Sequence, residues 1–324
     1  MSFLQPITAS QTSHFANPVV KRLVRRGIIN LQQDLDKLEC LLTGKDNVYL
    51  FTGRGPSSRR LHIGHLVPFM LTAGLQRSLD CPVIVQISDD EKMADHMDAD
   101  MNILDIQRVG FVKDRLFIFK NTDMIGKMYR EIVELSSRLR VKDLQKVFGF
   151  GDLDTILKYW YPAVQMVPAL HPELFPGLTE SMQCIVPCSM DQYPFFRLAR
   201  KLHNNKDHRK PIVICGSDYL PGIKSDKMSS SDPRNAIWID DPDLEAKIRM
   251  GRSWNGIDVG LRQDLAYQIT RIFEPDDRVF TQIHTDYVDL KRMGSLDLKM
   301  HAFRLLRQVF EKKYFMDSFT VDQK

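Results

Sequence analysis

Five short apolar runs, separated by segments of helical spacing, leave this chain few architectures. They cover residues 48–51, 82–87, 116–119, 184–187 and 212–215. Turn or polar residues bound each run, and β-branched residues are common in them. The runs are almost continuously hydrophobic rather than alternating, the pattern of parallel strands covered on both faces. Between the first two, Leu66, Phe69, Met70 and Ala73 fall at i, i+3, i+4 and i+7, one face of a helix. A β-α-β series of this kind predicts a Rossmann-like α/β fold with a doubly wound parallel sheet. Ligands then bind at the carboxyl ends of the strands.

Residues 121–182, between the third and fourth runs, carry two or three helical patterns, too much chain for one crossover. They predict a helical insertion, with a dimer surface as its expected use. After Trp238 the pattern turns to helices alone, clearest over 265–273 and 293–315. The expected organisation is a partly helical N-terminal extension over 1–44, a catalytic α/β domain over 45–240 and an all-helical domain over 241–324. No apolar run approaches the length of a membrane span. Residues 1–17 lack the hydrophobic core of a signal peptide, so a cytoplasmic location is expected.

A net charge of +4 is compatible with a polyanionic partner without establishing one. Locally, residues 291–313 hold seven basic side chains against two acidic ones, which suits a solvated face or an RNA-facing stripe. The five cysteines are irregularly spaced. Cys184 and Cys188 lie close together, but no second pair completes a metal site, so reduced core thiols are expected.

Chemistry concentrates in the run Phe51-Thr-Gly-Arg-Gly-Pro-Ser-Ser-Arg-Arg-Leu-His-Ile-Gly-His65. A strand, a tight loop and a helix N-terminus in succession form the local structure that holds phosphates. Gly53 and Gly55 allow close backbone approach and positive φ. Arg54 between them can meet phosphate oxygens. His62 and His65, three apart at a helix start, can reach one anion near the positive end of the helix dipole. Gly64 leaves room for a base or ribose. Far downstream, Lys227-Met-Ser-Ser-Ser231 follows the fifth run in a loop with Pro221, Gly222 and Lys224. A lysine among hydroxyls suits a pyrophosphate whose charge grows as it leaves.

The two motifs resemble the His-Ile-Gly-His and Lys-Met-Ser-Lys-Ser signatures of class I aminoacyl-tRNA synthetases. Thr52-Gly-Arg-Gly-Pro-Ser-Ser58, Asp89-Asp-Glu-Lys92, Phe148-Gly-Phe150, Pro162-Ala-Val-Gln165 and Pro187-Cys-Ser-Met-Asp-Gln192 narrow the resemblance to the eukaryotic-type tryptophanyl-tRNA synthetases. It extends from about Arg25 to near the C-terminus and is weakest over about the last 80 residues.

The resemblance implies ATP-dependent adenylation of L-tryptophan, then transfer to the terminal ribose of tRNA(Trp), by a Mg²⁺-dependent homodimer. His62, His65, Arg54 and Lys227 are the implied catalytic residues: the histidines and Arg54 on the ATP phosphates, Lys227 on the departing pyrophosphate. Gly53, Gly55, Gly64, Met228 and Ser229 complete the implied ATP site, and Asp191 takes the ribose hydroxyls. Around tryptophan the implied residues are Phe51, Gln86, Glu91, Lys92, Gln165 and Gln192. Of these, Gln86 lies near the indole N–H, and Glu91 and Gln192 near the ammonium group. Lys92 is a weaker candidate for the carboxylate. No resident metal is implied, since Mg²⁺ travels on ATP. Trp160, Tyr161, Phe195 and Phe196 are expected in the core.

Two positions depart from the family. Phe51 stands where relatives place a tyrosine whose hydroxyl helps receive the indole N–H, which leaves that bond to Gln86 or water. Ser230 replaces the second lysine of the signature loop. Three alternatives remain from sequence. A tyrosyl-tRNA synthetase shares the fold, but Pro168 sits where its pocket aspartate belongs. A small-metabolite adenylyltransferase shares the His-x-Gly-His turn. A catalytically inactive, synthetase-like RNA-binding protein would keep the fold alone.

Overall fold

The computed structural model describes residues 4–8, 11, 18–35, 48–91, 96–202, 210–216, 220–230 and 232–312. Seven strands form one sheet: β1 (Gln5–Pro6), β2 (Leu31–Gln33), β3 (Val48–Arg54), β4 (Val83–Ile87), β5 (Leu116–Lys120), β6 (Gln183–Ser189) and β7 (Ile212–Gly216). Their spatial order is β1-β2-β7-β6-β3-β4-β5. All five predicted strands are present and run parallel. β1 and β2, which the sequence did not announce, add an antiparallel edge beside β7. Residues 51 to 54 also correct an expectation. β3 does not end at Phe51 but continues through Arg54, pairing Thr52, Gly53 and Arg54 with Val85, Gln86 and Ile87.

Each parallel strand is apolar on both faces because each face meets its own layer. Val48, Leu50, Val83, Val85, Ile185, Ile212 and Ile214 pack on one side. That side is covered by α1 (Pro18–Arg25), α2 (Ile63–Leu79) and α3 (His96–Gln107). The same continuous core takes in α8 (Leu244–Met250), α9 (Leu265–Phe273), α10 (Asp277–His284) and α11 (Ser295–Glu311). Tyr49, Phe51, Ile84, Cys184, Val186 and Val213 point the other way. There they meet α4 (Asn121–Arg138), α5 (Val141–Phe148), α6 (Ile156–Leu170) and α7 (Tyr193–Leu202). The segment 121–182 thus carries three helices and itself provides the crossover that returns the chain from β5 to β6. Cys81, Cys184, Cys188 and Cys215 are buried and unbridged, and Cys40 lies outside the described residues.

Winding sets the site. From β3 the chain steps outward through β4 to β5, then crosses back to β6 on the opposite flank of β3. Connections leave β3 and β6 in opposite directions, so their carboxyl ends open into a crevice. The loop between β3 and α2 is clamped above it by α3. Asp105, buried, takes Arg60 Nη2 at 2.8 Å and Nε at 2.9 Å, and the Leu61 amide at 3.0 Å. Asn102 donates to the Ser58 carbonyl at 2.8 Å and accepts from Arg54 Nε at 3.2 Å.

Asp105→Ala strands the Leu61 N–H and half of the Arg60 fork, and breaking a buried pair costs about 3 kcal/mol. Urea unfolding is expected to show that loss, and a change under about 1 kcal/mol would remove the clamp from the account.

Candidate active site

A cavity of about 220 Å³ occupies the crevice. Gly53, Arg54, Gly55, His62, Gly64, His65, Asp191, Lys227 and Met228 all line it, and Ser229 follows just outside the lining. Phe51, Gln86, Glu91, Gln165 and Gln192 line it too. The fold therefore gathers residues from both signature motifs and from three strand ends. Lys92 lies outside the described residues.

Sheet alternation divides the cavity. Phe51 and Gln86 face the α6–α7 side, whereas His62 and His65 ride on α2 at the other face. One wall is therefore polar and cationic, the other aromatic with carboxamides.

On the α2 side, His62 is the N-cap of the helix, with φ −89° and ψ 160°, and its side chain caps nothing. A single pair of extended-strand bonds staples this turn to residues 237–239: Ile63 N to Ile237 O at 2.9 Å and Ile239 N to Leu61 O at 3.0 Å. The two imidazoles stack, with centroids 3.5 Å apart. The buried Nδ1 atoms of both lack a hydrogen-bond partner among the described residues. Such orphans are costly unless something arrives to meet them. Gly64 permits the stack, because a Cβ there would sit 3.0 Å from the His62 ring. Pro68, also in the lining, has no N–H and leaves the Gly64 carbonyl without its intrahelical donor.

Charge on this wall is rationed by burial. Desolvation, reinforced by Arg54 and Lys227, pushes His62 down to about 3. Desolvation holds His65 well below its ordinary value, with Arg54, His62 and Lys227 adding to the effect. Both histidines are therefore neutral donors at physiological pH, not cations. Arg54 is lowered to about 10 by burial, with Glu91 opposing, and stays protonated. Lys227 Nζ lies 3.5 Å from Asp191 Oδ2, across the crevice mouth. Ser189 donates its hydroxyl to Asp191 Oδ1.

Gly53 and Gly55 correct another expectation, since neither adopts a positive φ. They matter for approach alone. A Cβ on Gly53 would lie 3.1 Å from the Gln86 carbonyl oxygen, and one on Gly55 would strike Glu91 Oε2 at 2.6 Å.

The Lys227 loop is shaped by its own polar groups. Ser225 donates to the Lys227 carbonyl at 2.8 Å, and Met228 N donates to Leu220 O at 3.0 Å. Asn235 receives Lys224 N at 2.7 Å. From the C-terminal helical region, Arg252 and Gln263 donate to Asp226 at 2.9 and 2.8 Å.

On the aromatic wall, Phe51 is buried edge-to-face against Phe196, centroids 5.9 Å apart. Gln165 Nε2 donates to Gln192 Oε1 at 2.7 Å. Tyr161, Phe195 and Phe196, expected only in the core, also line the cavity, whereas Trp160 stays in the flanking apolar layer. Their signal was available: Tyr161 lies four residues before Gln165, on the same helix face. Ser88, bonded to the Tyr161 hydroxyl at 2.6 Å, is a lining residue no motif marked.

Residues 175–274 match the family described as tRNA synthetases class I (W and Y). The cytoplasmic tryptophan–tRNA ligase of Arabidopsis thaliana is 31% identical over 314 residues, covering 89% of this chain and 77% of that protein. Its counterpart in Rattus norvegicus is 32% identical, covering 82% of this chain, which spans only 60% of that longer relative. The crystal structure of a tryptophanyl-tRNA synthetase from Encephalitozoon cuniculi, bound to tryptophan, superposes with a TM-score of 0.84 at 27% identity. That match covers 98% of this chain and 92% of the other.

The buried histidines fix a pH dependence. Between the ordinary value of 6.5 and about 3, the folded protein binds fewer protons at His62 than the unfolded chain does. The contribution is therefore complete above pH 6.5 and is lost as pH falls towards the folded value. Between pH 7 and pH 5 the wild type should lose about 2 kcal/mol more than a His62→Asn variant, whose asparagine also suits an N-cap. Urea titrations at the two pH values test this, and parallel losses would show His62 is not buried neutral.

Proposed function

The chain belongs to the tryptophan–tRNA ligases among class I aminoacyl-tRNA synthetases, and we infer that it activates L-tryptophan with ATP and charges tRNA(Trp). One observation carries the assignment of roles: a single cavity joins a phosphate-suited wall to an aromatic wall. His62, His65, Arg54 and Lys227 take the ATP phosphates, and Asp191 takes the ribose. Phe51, Gln86, Glu91, Gln165 and Gln192 surround tryptophan. The orphaned Nδ1 atoms of both histidines support this placement, since phosphate oxygens would satisfy them.

The reaction needs no protein nucleophile. The tryptophan carboxylate attacks the α-phosphorus in line, and pyrophosphate leaves towards Lys227. Catalysis is positioning and stabilisation of developing charge. Among the described residues no group of three His, Cys, Asp or Glu side chains could hold a metal. As the family resemblance implies, we assign Mg²⁺ to the phosphates of ATP, whose charge it would shield. The adenylate then passes tryptophan to the 3′-terminal ribose of tRNA.

Residues 45–240 are assigned as the catalytic unit and 241–324 as the anticodon-reading unit, with 1–44 as an extension. Exposed Tyr129, Val133, Val141 and Ile156 on the 121–182 segment support a homodimer through that surface. A cytoplasmic site of action follows the cytoplasmic relatives. No described helix is long and apolar enough to cross a membrane. For tRNA, the stripe 291–313 narrows to the outer face of α11, where Arg304 and Arg307 are exposed. Arg307 already pairs with Glu311 at 2.8 Å, and Lys299 donates to the Arg249 carbonyl at 2.8 Å.

ATP–pyrophosphate exchange with tryptophan and tyrosine side by side is the direct test. Exchange with tryptophan is expected, and Lys227→Ala should slow single-turnover adenylation by ~10²–10³. Near-normal activation in that variant would sink the role given to Lys227. Retained tRNA binding without exchange on any amino acid would instead mark an inactive RNA-binding relative. Arg304→Glu with Arg307→Glu should weaken tRNA binding and flatten its salt dependence. Unchanged affinity would discard the stripe.

A further inference from the structure

Gln86, at the carboxyl end of β4, is 1% exposed yet forms part of the cavity lining. Its carboxamide can face the cavity with either oxygen or nitrogen, and the two ends recognise opposite partners. A chain of hydrogen bonds behind it settles the choice. Asn121 opens α4, two residues beyond Phe119, the register partner of Gln86 on β5. Asn121 Nδ2 donates to Asp90 Oδ1 at 2.7 Å. A carboxylate only accepts, so the amide nitrogen of Asn121 must face Asp90 and its Oδ1 must face Gln86. Gln86 Nε2 donates to that Oδ1 at 2.8 Å and to the Val164 carbonyl at 3.4 Å. Both partners only accept. Reversing Gln86 alone would set oxygen against oxygen twice. Reversing Asn121 as well would restore their mutual bond but still leave Gln86 Oε1 against the Val164 carbonyl and Asn121 Oδ1 against Asp90. Oε1 is left for the cavity.

We propose that Asn121 is a positioning residue for substrate selection: it holds Gln86 with Oε1 outward, as the acceptor for the indole N–H. The inference rests on tryptophan being the substrate. Phe51, buried against Phe196 on the same wall, offers no acceptor of its own. Recognition of the N–H therefore depends on the orientation of one carboxamide, and that orientation on Asn121 and Asp90. Asp89 anchors the arrangement by accepting from the Thr122 amide at 3.2 Å and from its hydroxyl, which fixes the start of α4 against the end of β4.

The test compares L-tryptophan with β-(benzothiophen-3-yl)-L-alanine, in which sulfur replaces the N–H, in ATP–pyrophosphate exchange by the full chain. The unaltered protein is expected to prefer tryptophan. Asn121→Ala should raise KM for tryptophan about tenfold with kcat within about twofold, while the analogue is little affected, so the preference falls about tenfold. Asn121→Asp is the conservative rescue. Held protonated beside Asp90, its acid group donates to Asp90 and accepts from Gln86, so the preference returns. Should Asn121→Ala not fold, as a melting curve would show, Asp90→Ala frees the same amide from outside and should lower the preference in the same direction. Equal losses for both substrates, or an unchanged preference in these variants, would overturn the proposal. Absence of tryptophan exchange in the unaltered protein would overturn the substrate assignment itself, and this inference with it.

Discussion

Everything at the site follows from β3 being paired on both flanks by parallel strands whose connections wind in opposite directions. Parallel pairing with β4 and β6 buries both faces of β3, which is why Val48, Tyr49, Leu50 and Phe51 are all apolar. It also delivers the residues after Phe51 to the one edge where no crossover blocks the sheet. Gly53 lies opposite Gln86 in register, and the close approach of that pair brings the Gln86 carboxamide next to the glycine-rich loop. On the roles proposed above, two substrates that must react with each other would thereby meet adjacent walls of one crevice.

The electrostatics of the wall formed by His62, His65 and Arg54 suit an anion. His62 and His65 are kept neutral by burial, and Arg54 is lowered while still charged. Desolvation disfavours charge on His62, His65 and Arg54, so an anion entering the cavity would offset that cost. Neutral imidazoles also make sense chemically. Two more full charges beside Arg54 and Lys227 would repel one another, whereas neutral N–H groups add directional donors without that repulsion. With the rings stacked 3.5 Å apart, two like charges would repel strongly, so the stack fits the neutrality that burial imposes.

Much of this was legible in the sequence because it rests on local patterns. Continuous apolar runs marked the five parallel strands, and the glycine-rich turn and the lysine loop marked the ends that face the ligand. What escaped depended on contacts between distant segments. β1 and β2 are two and three residues long, too short for any periodicity, and exist through pairing with each other and with β7. Asn121 reads as an ordinary helix-start residue until the β4–β5 register places it behind Gln86. Tyr161, Phe195 and Phe196 were assigned to the core because aromatic residues usually belong there, and two of them are indeed buried. The cavity lies within that core, so a side chain can be packed and line it at once.

The two signature motifs are held by different means. The histidine turn is fixed from behind by the buried Asp105 fork and by the strand-like bonds to residues 237–239. The lysine loop combines buried anchors, Leu220, Ile223 and Met228, with hydrogen bonds near the surface. Asp226, exposed, is held below the usual carboxylate range by Gln263 and Arg252, and exposed pairs of this kind add little to stability. Lys227 and Asp191 are each about half exposed and sit at the mouth. Burial of Met228, next to Lys227, holds the loop backbone against the core and leaves the lysine side chain at the mouth. On the roles proposed above, pyrophosphate would leave past the exposed Lys227 side chain without disturbing the histidine turn. Arg252 and Gln263 belong to the helical region beyond the sheet, so that region helps to position the lysine loop through one carboxylate, Asp226.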